Sequence, residues 1–580
     1  MAMAALRVLV VLGVLALLAV WAVVAAGDLI RARHDLLAGR TSADAARGQT
    51  SAADLEAAVP VPALHAAAAQ FHKARSILDS PVLFLGRFVP VAGRQLQSAR
   101  ALALAGATAA DVTAQALTDV HASLATHPQG GPARLAQLQH ILAVATTADR
   151  RLRALDYGPR IGLAGPLADG RNRLTNEVGK TLVSLERGLG SGRAAIDLLQ
   201  GDHRVLILAT NNSEMQAGSG MPLELGVLHT NNGSLHLDTV APDAAFKVPP
   251  GVVPTPPDLQ ARWGWLHPSD NWESVLSSPR FDMTAPVAAQ MFAATGQAPV
   301  DAVMALDPVL LADIVGVTGP VTADGLTLAG GQLETQLLHD QYNQASVTVR
   351  QDQLGDLARA TFARFDAGGW SLTQMGQALA ADGRGRHVIL WSRSPTDEAG
   401  WDVGGVAGAL GPHSLMVNVL NRGRNKLDYF LTSASTLSTS VAGGETKVTV
   451  TVHLADTTPP GQTGEVLGRG SGAAVDLRPG QQLSEGDYLG IVSLSAPGAA
   501  TGLSIDGVAA PSINGRDGPT QVVADQFIVR RGGTLDVTFH FTVPGTAGSV
   551  VIEPSARAPG MTWTYGAKSW SDTAPRTVAW

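Results

Sequence analysis

Val8 to Gly27 contains no charge, proline, asparagine or glutamine, and no other feature constrains the chain as strongly. Roughly 20 apolar residues is the length a helix needs to cross a bilayer. Arg7 and the amino terminus precede the run, and Asp28, Arg31, Arg33 and Asp35 follow it with charges that cancel. The very short tail then favours an N-in, C-out orientation. A signal peptide cut after Ala26 is the competing reading, since Val24 and Ala26 are small enough for a cleavage site. The run is longer than a usual signal core, which favours an uncleaved anchor. No second run of that length follows. The expectation is a single-pass protein of the cell membrane, partnered to the lipid bilayer through Val8–Gly27, with its bulk extracytoplasmic.

The remaining sequence can build cores. At 580 residues it exceeds what one core supports, so two to four domains are expected. Hydrophobic residues make up 45% and charged residues 16%, which excludes a disordered tail. A net charge of -7 lacks the basic face a nucleic-acid binder carries, so no nucleic-acid partner is expected. The chain has no cysteine, which removes disulfides, thiolate metal sites and cysteine nucleophiles. The histidines have no ligand spacing, so neither a metal nor a cofactor is expected.

Hydrophobic periodicity divides the chain. Asp28–Leu37, Ala52–Leu78, Gly93–Leu124, Pro132–Ala154 and Asn172–Leu199 place apolar residues at helical spacing. Ser51-Ala-Ala-Asp54 has the form of a helix start. Pro81 to Gly93 forces a turn, and the apolar residues within it are expected to pack it down. A coiled-coil seam is the alternative to a bundle, but no strict heptad persists. From about 203 strands alternate with helices, beginning with Arg204–Ala209 and including Ser414–Leu420, which indicates an α/β domain. From about 436 short alternating strands such as Thr446–Leu454 and Thr534–Val543 indicate a β-sandwich. The expected fold is multi-domain α+β: a transmembrane helix in 1–30, a helical extracytoplasmic stalk or bundle in 31–200, a central α/β domain in 201–435 and a β-sandwich-like domain in 436–580.

Candidate functional residues follow from position and chemistry. Thr210 to Gly220 closes the first strand of the α/β domain, where such proteins often place sites. Asn211, Asn212 and Glu214 offer several hydrogen-bonding groups within one turn. A tight turn with capping asparagines is the plainer reading of the same residues. Trp263, Trp265, His267, Asp270, Asn271 and Trp272 join aromatic faces to polar groups, as sugar recognition requires. The plainer reading is a long loop clamped by its tryptophans. Lys426 and Asp428 are alternate residues of an expected strand, which would make them a surface ion pair on one face. Asp307 before Pro308 reads as the cap of the next helix. No nucleophile elbow, zinc-protease, Walker or EF-hand pattern occurs.

Asn211-Asn212-Ser213-Glu214 with Ala217-Gly218-Ser219-Gly220 resembles the signature of the bacterial domain of unknown function 4012 family. The matches continue in order through His267–Trp272 with Ser278-Pro279-Arg280-Phe281, Pro299–Pro308, Val317–Val321, and Asn421 with Asn425-Lys426-Leu427-Asp428-Tyr429. The turn Pro90-Val-Ala-Gly93 also fits. Two positions depart: Gln216 stands where the family usually has arginine and Ser219 where it has glycine. If that arginine binds an anion in relatives, this chain lacks the contact. A looser similarity joins the α/β region to the LytR–CpsA–Psr ligases, which move glycans from polyprenyl pyrophosphate onto the wall. It points to Arg204, Arg350, Arg359, Arg364, Asp301 and Asp307, although the ligases' paired Arg/Asp motifs are not reproduced.

Two functions are therefore carried forward. One is a non-catalytic envelope protein that presents its domains to cell-envelope glycan or to another envelope protein. The other is an enzyme of envelope glycan assembly, which requires Arg204, Arg350 and Glu214 to converge on one pocket.

Overall fold

A computed structural model of the chain describes residues 2–48, 57–238, 240–323, 325–343, 347–468 and 477–580, without the side chains of 2–23, 85, 87, 90 and 347–354. The expected helix start at Ser51–Asp54 lies outside these residues, as does the side chain of Arg350. The chain forms two compact units, one of residues 1–126 and 136–192 and the other of residues 127–135 and 193–580.

The first unit is helical. It contains Ala2–Arg47, Pro60–Leu78, the short Pro81–Phe84 and Pro90–Leu124. The transmembrane expectation is corrected here: among the described residues no helix is long and apolar enough to cross a membrane. Most of Val8–Gly27 lies outside the described side chains. From Val24 onward the helix is a bundle helix that runs without a break through Asp28, Arg31, Arg33 and Asp35. Its buried positions are Ala25, Asp28, Ala32, Asp35, Gly39 and Ala46. The first five recur at alternating steps of three and four and the last follows seven residues on, a seam built from small and acidic residues instead of leucine. Small residues allow close approach. A Cβ at Gly39 would lie 2.9 Å from the Phe71 ring, and one at Gly106 would lie 3.1 Å from it. Asp28 is satisfied inside by Arg31 at 2.6 Å and by the Ser80 hydroxyl at 3.1 Å.

The second unit holds three main sheets. The first has the order Ser234–Leu237, Gly220–Asn231, His203–Met215, Ala302–Leu306, Val388–Ser392, with Ala241–Pro242 paired to the second of these. Only His203–Met215 and Ala302–Leu306 run parallel. The first strand is apolar on both faces because both are covered. Leu206 and Leu208 face a cluster with Phe281–Ala294, while Val205 and Ile207 face one with Pro308–Thr318 and Leu372–Gly385.

Two six-stranded sheets enclose the largest core. One contains Leu431–Ala442, Glu445–Asp456 and Thr534–Pro544, and the other Ser414–Asn421, Tyr488–Pro497 and Thr520–Val529. Val417, Val492 and Val523 meet Val450, Phe539 and Trp563 between them. The strand Ser414–Asn421 pairs with Tyr488–Pro497 and Ser549–Ile552, so it belongs to this pair of sheets and not to the α/β sheet. Its sequence could not show this, because all eight residues are buried. The second sheet's central strands Ser414–Asn421 and Tyr488–Pro497 are buried on both faces. Leu420, Ile491, Ile513, Val522 and Ala524 point away from the core and join Leu206, Trp263 and Phe281 of the α/β part in one cluster. The α/β part and the double sheet therefore share a continuous apolar interface.

Candidate functional site

The strand His203–Met215 carries the signature residues into this interface, where all of them are buried. Residues Asn211 to Gly220 extend the first strand and its antiparallel neighbour, with register shifts at Ala209/Thr210 and at Asn211/Met215. The Asn211 side chain accepts from the Ser213 N–H at 2.9 Å and donates to the Tyr342 hydroxyl. The Asn212 amide donates to Asp307 at 2.7 Å and to the Ala556 carbonyl at 2.6 Å. Asp307 caps its helix by accepting from Val309 N at 3.0 Å and Leu310 N at 3.3 Å, as the sequence implied. Its second oxygen lies 2.7 Å from His387 Nδ1.

Glu214 and Lys426 form a buried ion pair, and the Lys426 ammonium lies 4.9 Å from the centre of the Tyr342 ring. Burial pushes the Glu214 carboxyl up against the pull of Lys426. Burial pulls the Lys426 ammonium down, but Glu214 and Tyr342 outweigh it and the net direction is up. Asp428 is fully buried beside this pair. It accepts from Met215 N at 3.1 Å, Asn421 Nδ2 at 2.9 Å, the Tyr488 hydroxyl at 3.0 Å and Arg557 Nη1 at 2.8 Å. Arg557 also donates to the Leu431 carbonyl at 3.0 Å. Lys426 and Asp428 are thus not a surface pair on a strand. Leu427–Tyr429 is a turn of 3-10 helix, and each charge has a different buried partner.

A second join lies at the Ser278–Phe281 motif. Arg280 reaches Asp517 at 3.1 Å, Asp258 at 3.3 Å and Asp282 at 3.4 Å. Trp263 is fully buried, with its indole N–H 3.5 Å from Asp517. Trp272 is also buried and donates to the Phe246 carbonyl at 2.7 Å. Asn271 accepts from Glu273 N at 3.1 Å, capping a short turn. These residues clamp the loop, and only Trp265 of the three tryptophans is exposed, at 42%. Gln216 is buried, and neither polar atom of its amide has a hydrogen-bond partner.

The ligase-type residues do not gather. Arg204 and Glu214 sit at opposite ends of one strand, roughly 30 Å apart at the usual rise per residue. Arg204 N donates to Asp301 at 2.9 Å, Arg364 donates to the Thr318 carbonyl at 3.0 Å, and Arg359 pairs with Asp356. Arg350 belongs to the helix Val347–Ala367. Among the described residues no cluster of acidic or histidine groups could hold a metal ion. Sequence reading missed Tyr342, His387, Tyr488 and Arg557. The one available signal was that a carboxylate as apolar in its surroundings as Asp428 needs a cation from elsewhere in the chain.

The fold and these residues define an α/β domain bonded through its signature turn to a pair of β-sheets. Residues 200–342 match the family described as "Protein of unknown function (DUF4012)". No curated protein and no solved structure matches the chain.

Removing one partner of a buried pair strands the other charge, at about 3–5 kcal/mol. Lys426→Met is expected to cost that much in urea unfolding. The double variant Glu214→Gln/Lys426→Met should cost clearly less than the sum of the singles. Additive losses below about 1 kcal/mol each would mean that the pair is solvated.

His387 gives a pH dependence. Burial lowers its affinity for a proton, but Asp307, with Asp382 and Asp572 behind it, raises its pKa from 6.5 to about 9. The folded state therefore holds a proton that the unfolded chain has released between these values. The stabilisation is complete below about 6.5 and is lost as pH rises through about 9. His387→Asn should remove on the order of 3 kcal/mol at pH 6 and little at pH 10. A pH-independent difference in denaturant unfolding would refute the buried imidazolium.

Proposed function

We propose that this chain is a non-catalytic binding or structural protein of the bacterial cell envelope, whose DUF4012 signature holds its domains together. The observation that carries this reading is the use of the signature side chains. Glu214 is neutralised by Lys426, Asp428 by Arg557, and Asn212 bonds Asp307, all within the buried interface. A catalytic acid or base must instead reach a substrate. The distance between Arg204 and Glu214 speaks against the glycan-transfer alternative.

Envelope glycan is the favoured ligand class, with Trp265 as its contact. Trp265 is exposed beside His267 on a loop made rigid by the buried Trp263 and Trp272. A stiff loop with an exposed indole presents a flat apolar face to a sugar ring at little entropic cost. The full chain should sediment with insoluble cell-wall glycan, and Trp265→Ala should reduce retention several-fold without shifting the melting temperature. Retention that ignores Trp265→Ala would discard the contact. Turnover of polyprenyl-pyrophosphate-linked glycan, lost in Glu214→Gln while the fold persists, would replace the reading with the enzymatic one.

A further inference from the structure

The turn between Leu78 and Pro90 does not pack down as its composition suggests. Leu83 is buried, but Phe84, Phe88, Val89 and Val91 are exposed, Phe88 and Val91 at 73% each. Phe84 and Phe88 meet edge to face with centroids 5.8 Å apart, so they form one aromatic projection. Two further elements bring apolar groups to the same end of the helical unit. The helix Ala2–Arg47 contributes Leu29 and Ile30, exposed beside Asp28, which bonds Ser80 at the start of the turn. Ala25, Leu78, Leu83 and Leu96 share one small core there. The loop after Arg153 contributes Ile161, exposed at 81%. It is fixed in place by Gln95, which donates to the Gly162 carbonyl at 2.7 Å and accepts from Ala164 N at 2.9 Å.

Isolated exposed apolar residues are ordinary, but a contiguous set on projecting tips marks an interaction surface. The chemistry around the set indicates its partner. Arg33, Arg94 and Arg160 are exposed beside it. The acids of this end are engaged: Asp28 with Arg31 and Ser80, Asp79 with Arg75 and Arg100, and Asp156 with the Gly158 N–H. The chain immediately before Val24 is the uncharged run from Val8. Aromatic and aliphatic tips flanked by arginines suit the headgroup boundary of an anionic bilayer, where rings enter the apolar layer and guanidinium groups meet phosphate.

We propose that Phe84, Phe88, Val91 and Ile161 form a docking surface for an anionic phospholipid bilayer. The surface lies wholly within the helical unit and is independent of the glycan reading. The chain has no cysteine, so one introduced thiol gives a unique label in the full protein. Phe88→Cys and Ile161→Cys, each carrying an environment-sensitive fluorophore, are compared with Val441→Cys, an exposed strand position of the other unit. Vesicles of phosphatidylcholine with phosphatidylglycerol should blue-shift the probes at 88 and 161 and raise their intensity several-fold. Nitroxide on the acyl chains should quench both probes, and position 441 should not respond. Vesicles of phosphatidylcholine alone should give a weaker response, and an equal one would overturn the part assigned to the arginines. Probes at 88 and 161 that stay water-like on vesicle-bound protein would overturn the proposal. A blue shift without vesicles that grows with protein concentration would assign the surface to a second copy of the chain instead.

Discussion

A carboxylate removed from water must recover its solvation from the protein, and Asp428 does so with four donors from four segments. They are the end of the first α/β strand at Met215, two adjacent strands of the double sheet at Asn421 and Tyr488, and the loop at Arg557. No one of these segments could satisfy the charge alone. Separating the α/β part from the double sheet would take the Met215 N–H from Asp428 and part Lys426 from Glu214, so that state bears the cost of a broken buried ion pair. Arg557 is buried as well and stays with Asp428 on the double-sheet side, where it also donates to the Leu431 carbonyl. Burial drives the Tyr488 hydroxyl well above its usual range, so it remains a donor to Asp428 at every relevant pH.

Around this point the apolar contacts supply bulk and the polar ones supply register. Leu420, Ile491 and Val522 bury the outer face of one sheet against the α/β part, but such contacts are not directional. Glu214 with Lys426, Asn212 with the Ala556 carbonyl, and Arg280 with Asp517 fix which residues oppose one another. On the proposed reading, the dense polar signature of the chain serves this register. On the same reading, partners are met elsewhere, at Trp265 and at the apolar tips of the helical unit.

Much of the secondary structure was legible because its periodicity is local. The strand beginning at Arg204, the cap at Asp307 and the alternation of Thr446–Leu454 all state their environment within a few residues. The strand Ser414–Asn421 did not, because a strand buried on both faces reads alike in any sheet. The seam of the first helix was hidden by its composition, since Ala25, Ala32 and Gly39 carry little hydrophobic signal although they are the contact positions. The candidate site was found in part. Asn211, Asn212, Glu214, Lys426 and Asp428 were singled out and do come together, yet as a buried network. Their cations and donors lie up to 213 residues away in the chain, and no spacing rule reports such a pairing. The tryptophan loop divided the other way: Trp263 and Trp272 serve the core and Trp265 alone remains outside.

Native-state hydrogen exchange at the Met215 amide tests the central claim most directly, because that N–H is held by Asp428 across the interface. If the network joins the two parts into one cooperative structure, this amide exchanges only by the opening that also releases the strand Tyr488–Pro497. Equal opening free energies at the two places are expected. Rapid exchange at Met215 while that strand stays protected would show that the interface opens by itself, and the signature would then be no lock.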